Sequence, residues 1–499
     1  MLATIVVWNV IDRAYQGEII ASARLKLRDI QASLNERGVK RKPRLMVQSP
    51  CGSGKTRVAG MITQSALERG GRVMFLAHRS FLAEQTSLTF KDMKIPHSFM
   101  AAGKPFNPNA TVHVGMIGSI KSRVAKLKHR PTMILIDEGH RGVAATYRWV
   151  SENFPDATIM YLSATPSDRT DGVGLGEVCD DIVLGPQVAD LIRLGALSDF
   201  KWMRGQPPED LHNVKMRVGG DDALEKQGDI MSRAVIVGSV VENYKTHFMG
   251  KKAIYFFPNI ATGKKYAEAF CAAGVPMAWM DKDTPEWERK RIARKIATGE
   301  LYGFCNAFIA GEGYDLSAQA GMDVTIEVVG LCRLTASFPL LVQMAMRTMR
   351  PKPDGSCGII ADHVDCYGAF EWLPDDEIEW TLAGAVRKPK EVKPVQCPHC
   401  LATATPIKHK CKHCGEDVRE GRPGAATRRE IEEVQGHLAE VERAAHEAAK
   451  AAATMDRKRA IASLNRAEEI IAYGRERGYK EGWAKKLIEV KRERGRLVA

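Results

Sequence analysis

No run in this sequence is apolar for long enough to span a bilayer. The opening MLATIVVWNVID is too short for a span, and it has neither the basic start nor the small-residue cleavage site of a signal peptide. Acidic residues are in deficit: 60 Asp and Glu face 73 Lys and Arg, a formal net charge of +13. That balance suits a polyanionic partner, although charge alone does not separate nucleic acid from a membrane surface. Cysteine is too sparse for a disulfide scaffold. Of eleven, seven are scattered through 499 residues and four cluster in two CxxC pairs, so a reducing cytoplasm is expected. There is no convincing internal repeat and no long low-complexity tract, so a repeat architecture is not expected.

The length is enough for about three domains of ordinary size. From Arg44 to about Leu184, short β-branched runs (RLMVQS, RVMFLAH, TVHVGMI, TMILIDE, TIMYLSAT) alternate with helical patterns. The rhythm resumes from about Ala253 with KAIYFF, VPMAWM, YGFCNAFIAG, DVTIEVVG and CGIIADH. Two α/β domains, each a doubly wound parallel sheet, are predicted. Between them RGQPPEDLHNVKMRVGGDD reads as an irregular connection. The expected divisions are 1–188 and 189–386 for the two α/β domains, 387–424 for a linker and cysteine module, and 425–499 for a basic helical region.

SPCGSGKT, residues 49–56, follows an apolar strand and precedes a helical pattern. In such a glycine-rich turn consecutive N–H groups of Cys51, Gly52, Ser53 and Gly54 point at phosphate oxygens, and the helix adds its positive end. Lys55 would meet the β and γ phosphates and Thr56 would ligate magnesium. The strict pattern has glycine where Ser49 stands. TMILIDEGH ends an apolar strand in Asp137, suited to magnesium, and Glu138, suited to orienting and deprotonating water. The next strand ends in LSATP, where the Ser163 and Thr165 hydroxyls can link those acids to a moving neighbour. Far downstream, QMAMRTMRP sets Gln343, Arg347 and Arg350 on one predicted helical stretch, the arginines three apart and able to reach a γ-phosphate from a facing domain.

In this order the motifs resemble those of superfamily 2 helicases, over most of residues 13–385. The resemblance implies two RecA-like domains that clamp ATP between them. RAYQGEI resembles the family's opening and implies Gln16 near adenine, with Ala14 at a usual proline. It also implies His78 and Arg79 of FLAHRSFLAEQ near the nucleic-acid track, His140 of DEGH in coupling, and Glu312, Gly313 and Asp315 of AGEGYDLS in motif V. LTASF, with Thr335 and Ser337, is similar to the T-x-S before motif VI in a bacterial and phage branch that includes RadD-like proteins. Two positions depart from the pattern. Met346 replaces the glycine of QxxGRxxR, and Gly139 stands where Ala, Cys or Ser is usual, a small-for-small change expected to be tolerated.

CPHC and CKHC supply Cys397, Cys400, Cys411 and Cys414, two turns that each aim two thiolates at one point and together close a structural zinc site. His399, His409 and His413 are expected to be neighbours rather than ligands, and Lys408, Lys410 and Lys412 make either a phosphate-facing knuckle or a solvated rim. The C-terminal charge pattern reads first as a solvated helix or helical hairpin. A second reading has Tyr479 and Trp483, among Lys480, Lys485, Lys486, Lys491, Arg492, Arg494 and Arg496, grip nucleic acid.

The expected function is an ATP-dependent DNA helicase or translocase with ATP, Mg2+ and Zn2+, acting in a bacterial or phage-infected cell on single-stranded or branched DNA. RNA is left open, as are single-strand-binding or recombination and replication proteins as partners and a monomer or weak oligomer. Alternatives are a DNA-stimulated ATPase that remodels protein–DNA complexes and a nucleotide-gated binding scaffold. No nuclease carboxylate cluster is recognisable, which disfavours a self-sufficient restriction motor.

Overall fold

The computed structural model describes residues 13–385 apart from 102–103, 167–173, 206, 209, 212–213, 215–220 and 308–315; beyond 385 it describes short stretches, the longest being 460–476 and 481–493. The chain divides into two compact units, Met1–Val386 with Gly436–Glu440, and the remainder.

In the first unit, helix α1 (Ala14–Glu36) leads into β1 (Arg44–Gln48), α2 (Lys55–Leu67), β2 (Val73–Ala77), α3 (Ser80–Asp92), β3 (Ser98–Met100) and β4 (Val112–Met116). Then come α4 (Ile120–Arg123), β5 (Met133–Asp137), α5 (Ala145–Asn153), β6 (Thr158–Ser163), β7 (Asp181–Leu184) and α6 (Val188–Arg193). The seven strands form one parallel sheet in the order β3-β4-β2-β5-β6-β1-β7. Its central strands are apolar on both faces because helices cover both, and Val73–Ala77 is buried throughout. Parallel order has one decisive consequence. The C-terminal ends of β5, β6 and β1 lie side by side on one edge, with Asp137 opposite Leu162 and Gln48 opposite Ser163, where ligand sites of open α/β sheets form.

The second sheet is built from β8 (Phe200–Arg204), β9 (Ala253–Phe256), β10 (Met277–Met280), β11 (Gly303–Asn306), β12 (Val328–Leu331) and β13 (Gly358–Asp362). Its parallel order is β10-β11-β9-β12-β13-β8, extended antiparallel beside β8 by Ala439–Glu440. Helices α7 (Asp221–Met231), α8 (Ala234–His247), α9 (Ile260–Ala272), α10 (Glu286–Thr298), α11 (Leu316–Ala320), α12 (Phe338–Ala345) and α13 (Cys366–Phe370) connect the strands. All ten predicted runs are strands. β3, β7, β8 and the 439–440 edge are strands outside those runs, being short or polar.

Aromatic packing fills this second core, with Tyr244, Tyr255 and Phe270 in mutual edge or tilted contact. His363 stacks on Tyr255, ring centroids 6.1 Å apart, and its Nε2 is buried with no hydrogen-bond partner among the described residues. Burial holds this imidazole down at about 4, from 6.5. A depressed folded-state value means that the unfolded chain takes the proton first. Stability is therefore complete above pH 6.5 and falls as the pH drops toward 4, by about 2–3 kcal/mol for this group. His363→Phe is expected to flatten the loss in denaturant titrations at pH 7, 5.5 and 4.5; an unchanged pH slope refutes the assignment.

In the second unit, helices Ala467–Glu476 and Glu481–Glu493 form a hairpin. Trp483 stacks on Tyr473 at 6.1 Å, and the Lys491 ammonium donates to the carbonyls of Ala462 (3.0 Å) and Leu464. Two residues of the nucleic-acid-gripping reading thus serve the hairpin itself, as the solvated-hairpin reading expects; Tyr479 lies outside the described residues. Among the described residues no helix is long and apolar enough to cross a membrane.

Candidate functional site

The loop of residues 49–54 leaves β1 and ends where α2 starts at Lys55, with Gly54 as the left-handed residue before the helix. Gly52 (φ +80°) and Gly54 (φ +88°) adopt conformations that side chains resist. Space is short as well: a methyl at Gly54 would come 2.6 Å from Gln16 Nε2, and one at Gly52 2.9 Å from Leu197 Cδ2. The loop is braced internally by Ser49 Oγ and Ser53 Oγ at 2.6 Å and by Ser53 Oγ donating to the Pro50 carbonyl. From α1, Tyr15 Oη (2.7 Å) and Gln16 Nε2 (3.1 Å) both donate to the Ser53 carbonyl, while Gln16 Oε1 accepts from the Arg13 N–H. Gln16 thus reaches the phosphate loop, buried, and its amide orders that loop. Tyr15 was not singled out in the sequence, although it sits beside Gln16 in the same RAYQ motif.

Asp137 and Glu138 end β5 as predicted. Glu138 is buried and has left-handed backbone (φ +50°), which turns the chain into a 3-10 turn, Gly139–Arg141, against β6. That return places His140 Nδ1 3.3 Å from Glu138 Oε2 and 3.2 Å from Ser163 Oγ. Ser163 Oγ in turn accepts the Thr165 N–H at 3.1 Å, and the Thr165 hydroxyl is buried with no partner among the described residues. The Ser49 N–H donates to the Ser163 carbonyl at 3.0 Å. One chain of contacts therefore runs from the acid pair through His140 to LSATP and on to the phosphate loop.

Gly139 fits its place, and the space around it favours glycine over any larger residue: a methyl there would lie 2.6 Å from Tyr161 Cβ and 3.0 Å from the Leu162 nitrogen.

Burial and the adjacent Glu138 charge push the Asp137 carboxyl up, and Lys55 and His78 offset part of that rise. His78, at the exit of β2, is hence near the acid pair, and Arg79 Nε donates to His78 Nε2 at 3.1 Å. Burial also raises the Cys51 thiol, while Lys55 and Arg347 pull it down. Arg347, carried by the second sheet, is thereby brought within electrostatic range of the phosphate loop.

The predicted single helix for Gln343, Arg347 and Arg350 is corrected. α12 stops at Ala345 and a 3-10 turn spans Met346–Thr348. The Thr348 side chain donates to the Glu327 carbonyl at 2.8 Å, and Pro351 disfavours helix at Arg350. Gln343 and Met346 are buried, Arg347 is partly buried, and exposed Arg350 donates to Ser317 Oγ at 2.9 Å. Met346 fills core rather than opening a close approach. Thr335 Oγ1 accepts the Ser337 N–H, and Ser337 Oγ caps α12 by accepting from Leu340, so both hydroxyls shape the turn before the arginines. Glu312, Gly313, Asp315 and the four paired cysteines lie outside the described residues; among those described no cluster of metal-ligating side chains occurs.

The donor set fits a magnesium nucleotide: a glycine cradle tight enough to reject side chains, Lys55 and Thr56 opening a helix, and the acid pair of partly buried Asp137 and buried Glu138. Lys55 would hold the phosphates, and Thr56 with Asp137 the ion.

A 51.5 kDa protein of a Lactococcus phage is 33% identical over 377 residues, 74% of this chain and 78% of that one. The chain belongs to the family of that phage protein. Residues 9–168 match the family model described as type III restriction enzyme, res subunit. IRC3 of Saccharomyces cerevisiae, proposed by its name to be an ATP-dependent helicase, is 27% identical over 363 residues, 68% of this chain and 51% of that one. Among solved structures, S. cerevisiae Dbp5 bound to RNA and ADP BeF3 aligns at TM-score 0.46 and 13% identity, covering 72% of this chain and 90% of that one. The Pyrococcus furiosus Hef helicase domain aligns at TM-score 0.44 and 16% identity, covering 72% and 97%. The res-subunit match and the helicase-named relative support ATP-dependent, helicase-type action on nucleic acid as the function class.

Proposed function

We propose that this protein is an ATP-driven motor that moves along, or unwinds, DNA. The observation that carries the reading is the contact chain Glu138–His140–Ser163–Thr165, which ties the acids suited to hydrolysis to the residues suited to transmitting it. Lys55 and Thr56 hold the nucleotide on one side, and Arg347, with Arg350 on closure, neutralises phosphate charge from the other. Thr56 and Asp137 would hold a magnesium ion, which would supply further charge neutralisation. Glu138 accepts the proton of the attacking water. Release of the cleft then advances contacts around Arg79, Thr165 and Thr335 along the strand, reading phosphate and hence with little sequence preference. The spacing of Cys397, Cys400, Cys411 and Cys414 would suit a structural zinc ion, in keeping with the RadD-like resemblance. The test is phosphate release by the full chain with no polymer, single-stranded DNA, duplex DNA and RNA in parallel. Stimulation by DNA of at least tenfold is expected; a flat response overturns the motor, and stimulation by RNA alone overturns the track. A strand-displacement assay then separates unwinding from remodelling.

A further inference from the structure

The segment between the two sheets touches both halves of the nucleotide machinery. On the loop side, Leu197 packs on Gly52, and the Ala196 carbonyl accepts from Arg13 Nη1 at 2.9 Å. Arg13 is bonded to Gln16, and Gln16 to the Ser53 carbonyl. On the other side, the Ser198 N–H donates to the Met349 carbonyl at 2.8 Å, next to the arginine turn. One side chain closes the junction. Lys352 is buried, and its ammonium donates to Ser198 Oγ (3.0 Å), the Thr348 carbonyl and the Arg350 carbonyl (3.2 Å).

An ammonium has three protons to give and here gives all three, two to the turn that carries Arg347 and Arg350 and one to the connector. Among the described residues this buried lysine has no ion pair, which makes it costly to keep, since an apolar residue of that size would fill the space at no desolvation cost. Its distinguishing property is that it bonds the connector and the arginine turn to each other.

We propose that Lys352 is a positioning residue that clamps the 196–198 connector to the arginine turn, so that nucleotide in the phosphate loop is felt at Arg347 through the chain itself. The inference rests on the motor reading for its consequence but not for its geometry. Burial draws the ammonium down to about 8, with Cys357, Glu327 and Asp354 favouring its charge and Lys251 opposing it. The clamp therefore loses a proton, and a donor, just above neutral pH.

The experiment uses the full chain with Lys352→Met, which keeps an unbranched side chain one atom shorter and removes every donor, and Ser198→Ala, which removes one acceptor. Hydrogen exchange over residues 346–352 is followed with and without a non-hydrolysable ATP analogue, alongside DNA-stimulated hydrolysis. The wild type is expected to slow exchange in that segment when the analogue binds. Lys352→Met is expected to lose the response and roughly tenfold in kcat with KM within about twofold, and Ser198→Ala to fall between. The wild-type kcat should decline above pH about 8, with that step absent in Lys352→Met. If the analogue binds and exchange in 346–352 does not change in the wild type, or changes equally in Lys352→Met, the clamp is wrong. If exchange behaves as expected but no polymer stimulates hydrolysis, the clamp stands and the motor reading fails. Failure of the analogue to bind overturns both.

Discussion

Glu138→Gln is expected to lower ATP hydrolysis by about 10²–10⁴-fold while leaving nucleotide affinity within a few-fold of wild type. The carboxylate is buried at the end of β5, 3.3 Å from His140 Nδ1, and held by a left-handed backbone that fixes where the side chain begins. Glutamine preserves volume and one acceptor oxygen but cannot take a proton from water. The loop residues that hold phosphate, Lys55 and Thr56, are untouched, so binding survives. Stability gives an independent check with a defined sign. Glu138 raises the neighbouring Asp137 through like-charge repulsion, so removing its charge relieves that pair, and the melting temperature should stay equal or rise. Single-turnover hydrolysis, equilibrium binding of a labelled nucleotide and a thermal melt together decide the matter. Turnover within tenfold of wild type would remove Glu138 from the role of base.

The parts of the site that were legible from sequence are those whose chemistry is local. SPCGSGKT needs consecutive amides and a helix start, and DEGH needs two acids at a strand end; both are written in adjacent residues and stand where expected. The central strands were legible for the same reason, because burial on both faces demands continuous apolar runs. What escaped is what depends on distant partners. β8 reads FKWMR, with exposed Lys201 and Arg204 among its residues, and is a strand because β13 pairs with it. The arginine helix ends five residues short of Arg350 because Thr348 bonds back to the carbonyls before β12. No local pattern in MRTMRP records that bond. Leu197 and Lys352 carry no motif at all, and Arg13 only opens RAYQ; their roles come from contacts across more than 140 residues of sequence.

Gly139→Ala shows how far a family pattern can mislead when the local packing is not known. Alanine is among the usual residues at this position in the resembled helicases, so the change looks like a repair. The geometry opposes it. The new methyl would stand 2.6 Å from Tyr161 Cβ, 3.0 Å from the Tyr161 carbonyl carbon and 3.0 Å from the Leu162 nitrogen. Two of these are backbone atoms of β6, which is locked between β5 and β1, and Tyr161 is fully buried. A flexible side chain could swing away, but this strand has nowhere to go. The 3-10 turn must lift instead, and it carries His140 away from Ser163 and disturbs the backbone at Glu138. A loss of about 3 kcal/mol or more in denaturant-induced unfolding is expected, with hydrolysis down at least tenfold at temperatures where the variant is folded. Gly118→Ala, where an added methyl meets nothing within 4 Å, is the matched control and should change stability by less than about 1 kcal/mol. An alanine variant at 139 as stable and as active as wild type would mean that β6 yields where the sheet says it cannot, and the coupling path through His140 would lose its structural basis.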